Sequence, residues 1–194
     1  MTVHGRYTGV LADSPVFDTP YNALPGVDRD SFVRTNIPVW AATADLDAAA
    51  SGAAIGVRIW LVRGDVVTNL AFNSGATAAA NPTHWWHALY DPDGLLLAQT
   101  ADQAAAGWAA ATTKRLPLSK PVKATRAGWY IAATMTAAAT VQSLAGAAPL
   151  AATAGVHTGS KPAGVTFGAG LTAAAPAVTG AQAAAAKVPL VVVS

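Results

Sequence analysis

The chain has 194 residues, of which 53% are apolar and 11% charged, with no cysteine. That length supports one sizeable core, or one core with arms, and leaves little room for two full domains. The missing cysteines exclude disulfides and thiolate metal sites. The low charge, against about a quarter in ordinary globular domains, means either that much of the surface is bland Ala, Gly, Ser and Thr or that other chains cover part of it, and the second is the expectation.

About a quarter of the residues are alanine, which contributes little transfer free energy per residue. The six Trp, four Tyr and four Phe must therefore supply much of the core and contact area. Charge is unevenly placed. All ten acids are Asp and lie at or before Asp102; with five Arg in that part its net charge is 5 − 10 = −5, and the remainder carries +7. Such asymmetry guides docking between copies or onto an acidic surface, unless the fold mixes the two halves. Met1 to Arg6 carry no apolar signal core, and no run of about 18 apolar residues marks a membrane-spanning helix.

Residues 1–36 read as an extended N-terminal arm, with Pro15, Pro20 and Pro25 and no sustained periodicity. Tyr7, Phe17, Tyr21 and Phe32 are spread through it. Aromatic anchors at this density suit a segment that docks rather than a loose tail. From residue 37 to 147 the pattern is β. Ile37-Pro38-Val39-Trp40 predicts a short strand, and 45–54 a loop. Ile55, Val57, Ile59 and Leu61 alternate with Gly56, Arg58 and Trp60, the period of a half-buried strand. Val66 to Phe72 returns as a second strand after Gly64-Asp65.

Trp85 to Tyr90, the turn Asp91-Pro92-Asp93-Gly94 and Leu95 to Thr100 form the clearest hairpin, with Pro and Gly where a type I turn takes them. Residues 101–113 are alanine-rich around Trp108 and read as a loop or strand with a short helical turn. Leu116-Pro117-Leu118 and Val122 suit a proline-broken edge. Gly128 to Thr136 predicts a core strand. After Thr140 the chain becomes low in complexity, with short strands near Gln142–Leu144 and Val165–Phe167, and 148–194 forms an Ala-, Gly- and Thr-rich C-terminal segment. It ends in the β-prone Val188–Val193, which must be paired in the sheet or donated to a neighbour. The whole predicts an all-β, antiparallel, jelly-roll-like sandwich with an N-terminal arm and a low-complexity C-terminal region.

Chemistry finds little to hold. With no Glu, paired-carboxylate catalysis needs two Asp, and Asp91 and Asp93 are accounted for by a turn. A hydrolase would need them to converge with Asp102 in a cleft. The ligand spacing of a calcium loop is absent. His84 and His87, at i and i+3 on a strand, point to opposite faces, and His4 and His157 are isolated. No G-x-S-x-G elbow, dinucleotide fingerprint or phosphate loop occurs. We expect no enzyme activity, no cofactor and no metal. Trp60, Trp85, Trp86 and Trp129 suit packing, with a sugar-stacking platform as the alternative. The basic stretch Lys114, Arg115, Lys120, Lys123 and Arg126 lacks the aromatic interleaving of a nucleic-acid surface. It suits solvated loop charge or contact with an acidic protein.

The series Ile59-Trp60-Leu61-Val62, then Leu89-Tyr90-Asp91-Pro92-Asp93-Gly94-Leu95-Leu96-Leu97-Ala98, then Ala101-Asp102-Gln103, then Ala127-Gly128-Trp129-Tyr130-Ile131-Ala132 resembles a β-sandwich of virion proteins of actinobacterial tailed phages. There an LYD-x-DG hairpin precedes an A-G-x-Y-Y-type core strand; here Trp129 stands where a Tyr is common. The resemblance covers residues 37–147. It implies a non-enzymatic structural protein of the virion surface, assembled in the host cytoplasm: a capsid decoration or minor capsid protein, or else a minor tail protein. Its partners would be major capsid or tail proteins and further copies of itself, as in a trimer, with neither nucleic acid nor membrane bound. A glycan-binding adhesion module is the alternative. The candidate contact residues are Tyr7, Phe17, Tyr21, Phe32, Lys114, Arg115, Lys120, Lys123, Arg126, Val191, Val192 and Val193.

Overall fold

A computed structural model describes residues 33–148 and 161–194. The arm residues Tyr7, Phe17, Tyr21 and Phe32 lie outside them. Among the described residues thirteen strands run in chain order: β1 (Arg34–Thr35), β2 (Ala44–Leu46), β3 (Ala54–Leu61), β4 (Val66–Asn73), β5 (Ala80–Tyr90), β6 (Leu96–Gln99), β7 (Thr113–Lys123), β8 (Gly128–Thr140), β9 (Leu144–Ala147), β10 (Gly164–Phe167), β11 (Ala183–Ala185), β12 (Val188–Pro189) and β13 (Val191–Val193). There is no α-helix among the described residues. The fold is all-β.

The strands form a four-stranded sheet ordered β1-β13-β4-β7, a six-stranded sheet ordered β11-β10-β3-β8-β5-β6 and a small sheet ordered β12-β9-β2. Every strand pairing is antiparallel. The two larger sheets pack face to face. Ile55, Val57, Ile59 and Leu61 of β3, Trp85 and Leu89 of β5 and Tyr130 of β8 meet Leu70 and Phe72 of β4 and Val191 and Val193 of β13. The period-2 alternation of β3 places its four β-branched and leucine side chains on this one face.

The six-stranded sheet buries its other face as well. Trp86, Ala88 and Tyr90 of β5, Ile131, Ala133 and Met135 of β8, and Val165 and Phe167 of β10 form a second cluster. Segment 168–182 covers it. Leu171 and Ala175 pack there, and Trp86 Nε1 donates to the Thr172 carbonyl at 2.7 Å. Gly56 on β3 is required by this closeness, because a Cβ there would stand 2.7 Å from Ile131 Cγ2.

Two expectations are corrected. Residues 39–41 form a 3-10 turn after Pro38, not a strand. Pro38 has no N–H for a ladder, its carbonyl instead accepts from Ala41 N at 2.9 Å, and Trp40 is left 82% exposed. Within the expected loop 45–54, Ala44–Leu46 pairs with β9. The Val-rich end is likewise used internally. β13 lies between β1 and β4, Val191 and Val193 are fully buried and Val192 is half-buried, so this segment packs the chain's own core.

The first described strand is tied down by a buried ion pair. Arg34 Nη1 donates to Asp65 Oδ2 at 2.6 Å and to the Trp60 carbonyl at 2.8 Å, with side-chain exposures of 4% and 11% for Arg34 and Asp65. The same Asp65 oxygen accepts from Val62 N at 2.8 Å, closing the β3–β4 turn. Asp65→Ala strands a buried guanidinium, and urea unfolding should show a loss of about 3 kcal/mol or more. The paired change Arg34→Met with Asp65→Leu should recover most of that loss.

Candidate functional site

Each aspartate among the described residues already has a protein partner. Asp45 accepts from Ala76 N, Asp47 faces Lys187 at 3.8 Å and Asp65 holds Arg34. Asp91 Oδ1 accepts from Asp93 N and Leu95 N, capping its own hairpin turn, while Asp93 pairs with Arg126. Asp102 Oδ1 accepts from Trp85 N and Ala104 N, and its Oδ2 meets His84 Nδ1 at 2.7 Å. Burial pushes the Asp102 carboxyl up, but the bonds from His84, Ala104 and Trp85 together hold it below its ordinary value. Asp91, Asp93 and Asp102 thus serve turns, a surface pair and a loop clamp. No group of three His, Cys, Asp or Glu placed to hold a metal occurs among the described residues.

His84 and His87 diverge as strand geometry demands. His84 is half-exposed beside Asp102, whereas His87 is fully buried in the sandwich core. Its ring lies 4.9 Å from Phe72 across the sheets, 5.8 Å from Trp85 and 5.5 Å from Trp108. His87 Nε2 stands 3.2 Å from the Lys114 carbonyl, so this nitrogen carries the proton, and Nδ1 accepts from Thr134 Oγ1 at 3.0 Å. Burial depresses the imidazole pKa to about 4, against the smaller opposing effect of its bonds to Lys114 and Trp86.

Trp85 and Trp86 face opposite sides of β5, as alternation requires, but both are buried. The second cluster takes Trp86, and Trp85 Nε1 donates to the Ala106 carbonyl at 2.7 Å. Neither offers a stacking platform. The aromatic surface is elsewhere: Trp129 on β8 is 48% exposed and sits opposite Trp60 on β3. Their rings are 5.3 Å apart at 74°, edge to face.

The five basic residues do unlike things. Lys114 lies over the Trp85 ring, its Nζ 5.8 Å from the centroid. Arg115 Nη2 donates to Ser194 Oγ at 2.9 Å, and Arg126 pairs with Asp93. Lys120 and Lys123 are exposed on β7, an outer strand of its sheet, and have no ionic or hydrogen-bonding partner among the described residues. Lysines and Pro117 and Pro121 on such a strand disfavour further strand pairing. Arg126–Asp93 and Lys187–Asp47 also join the basic part of the chain to the acidic part, so the fold partly mixes the two halves.

Reading by residue type passed over Arg58, Lys161 and the Arg34–Asp65 pair. Arg58 left one signal, a cation on the same strand face as Trp60 and two residues from it.

Because the unfolded imidazole takes up a proton near pH 6.5 and the buried one only near pH 4, the His87 contribution is complete above about pH 6.5. It is lost as pH falls towards 4. Urea titrations across that window should show stability dropping by about 3 kcal/mol at most. His87→Gln should flatten the slope.

No family model matches the chain, and no curated protein matches it.

Proposed function

We propose that the chain is a structural component of a tailed-phage virion, a capsid decoration or minor capsid protein that acts by docking rather than by catalysis. The observation that carries this reading is the arrangement of the segments bearing the resemblance. The hairpin β5–β6 and the strand β8 are neighbours in one sheet, with Leu89 opposite Ala132 and Tyr90 opposite Ile131. Their hallmark residues interlock. Gly94 takes φ +85°, which the turn needs, and Gly128 leaves room for Pro92, whose Cγ would stand 2.9 Å from a Cβ there.

The rest of the surface supports docking. The described aspartates and His87 serve the fold, while Lys120 and Lys123 on an outer strand have no partner among the described residues. A symmetric homo-oligomer such as a trimer, seated on an acidic face of a capsid or tail protein, suits that distribution.

Electron microscopy of particles made without this chain should show missing density at regular surface positions and less stable shells. Intact, equally stable heads and tails with no density lost would overturn the reading. In co-sedimentation with assembled particles, Lys120→Glu with Lys123→Glu should weaken binding about tenfold or more, with thermal stability unchanged within about 0.5 kcal/mol. Unchanged binding would remove β7 from the contact.

A further inference from the structure

A second surface feature is independent of docking to a particle. A pocket of ≈530 Å³ opens beside Trp129, within the range that holds small ligands. Its walls combine three chemistries. Trp129 supplies a half-exposed indole whose orientation is fixed by the edge contact with Trp60. Ile37, Ala163 and Val188 supply an aliphatic side. Arg58 and Lys161 supply two cations, and no carboxylate is among the described residues that line the pocket.

Arg58 is held in place before any ligand arrives. Its Nε donates to the Pro162 carbonyl at 3.0 Å and its Nη2 to Gln182 Oε1 at 2.9 Å. Those two bonds fix the guanidinium plane and leave Nη1 uncommitted among the described residues. Both partners are neutral, so the charge is not balanced by them. Burial alone lowers the guanidinium's pKa from its ordinary value, and a bound anion would reverse that effect.

We propose that this pocket binds an acidic sugar, with the apolar face of the pyranose against Trp129 and its carboxylate between Arg58 and Lys161. An indole beside aliphatic carbon suits the C–H face of a sugar ring, and a preorganised guanidinium suits a carboxylate. The half-open pocket has room for one or two rings rather than for a long peptide.

The test uses the full chain with glucuronic acid and glucose as matched probes, read by tryptophan fluorescence and saturation-transfer NMR. Glucuronic acid should bind saturably, at least about tenfold more tightly than glucose, and more weakly as salt rises. Trp129→Ala and Arg58→Gln should each weaken binding about tenfold or more. Because Arg58 also tethers residues 162 and 182, Lys161→Glu at an exposed position provides the electrostatic test if Arg58→Gln unfolds the chain. Equal binding of the two sugars, undiminished binding by Trp129→Ala or Lys161→Glu, or no saturable binding at millimolar concentration would overturn the proposal. Displacement of glucuronic acid by an oligo-aspartate peptide of higher affinity would do the same and assign the pocket to acidic peptides.

Discussion

The structure depends on burying both faces of the β3–β8–β5 sheet. Two adjacent indoles, Trp85 and Trp86, project to opposite sides of β5 and both are fully buried. An antiparallel sheet usually leaves one face to water. Here the four-stranded sheet covers one face and segment 168–182 covers the other. With so much alanine in the chain, large side chains are scarce, and removing either indole would cost on the order of 3–5 kcal/mol. The paired strands also set the surface: by alternation Trp129 shares the second-cluster face of β8 with Ile131, yet near the start of the strand it stays half-exposed.

That double burial gives the C-terminal residues their place. β10 and β11 extend the six-stranded sheet, β12 joins the small sheet and β13 enters the four-stranded one. A region of low sequence complexity thus contributes to every sheet. Its bland composition fits, because small side chains allow close backbone approach: a Cβ at Gly164 would stand 2.1 Å from the Lys187 carbonyl oxygen. The Arg34–Asp65 pair performs a comparable task at the other end of the described chain, joining β1 to the β3–β4 turn.

Much of the fold was legible because period-2 alternation and turn chemistry are local. The β3 pattern, the D-P-D-G hairpin and the Gly128 strand each declare themselves within a dozen residues. The β7 segment, broken by Pro117 and Pro121, also occupies the outer position that missing N–H groups require. What alternation could not convey was how many faces are covered. It separates Trp85 from Trp86 but does not say that segment 168–182 returns over the second. The Ile37–Trp40 strand failed for a local reason, since the Pro38 carbonyl closes a tight turn more readily than the residue joins a ladder. The pocket was illegible because Arg58, Trp129 and Lys161 are far apart in the chain and meet only through the β10–β3–β8 pairing. The aromatic arm lies outside the described residues.

Native-state hydrogen exchange tests the central claim most directly. If the doubly buried sheet is the foundation, the amides of residues 85–90 and 130–135 should exchange only through global unfolding. Their protection should then equal the unfolding free energy from urea titration. Exchange of those amides through smaller openings, while β4 or β13 stays protected, would contradict the account and place the foundation in the four-stranded sheet.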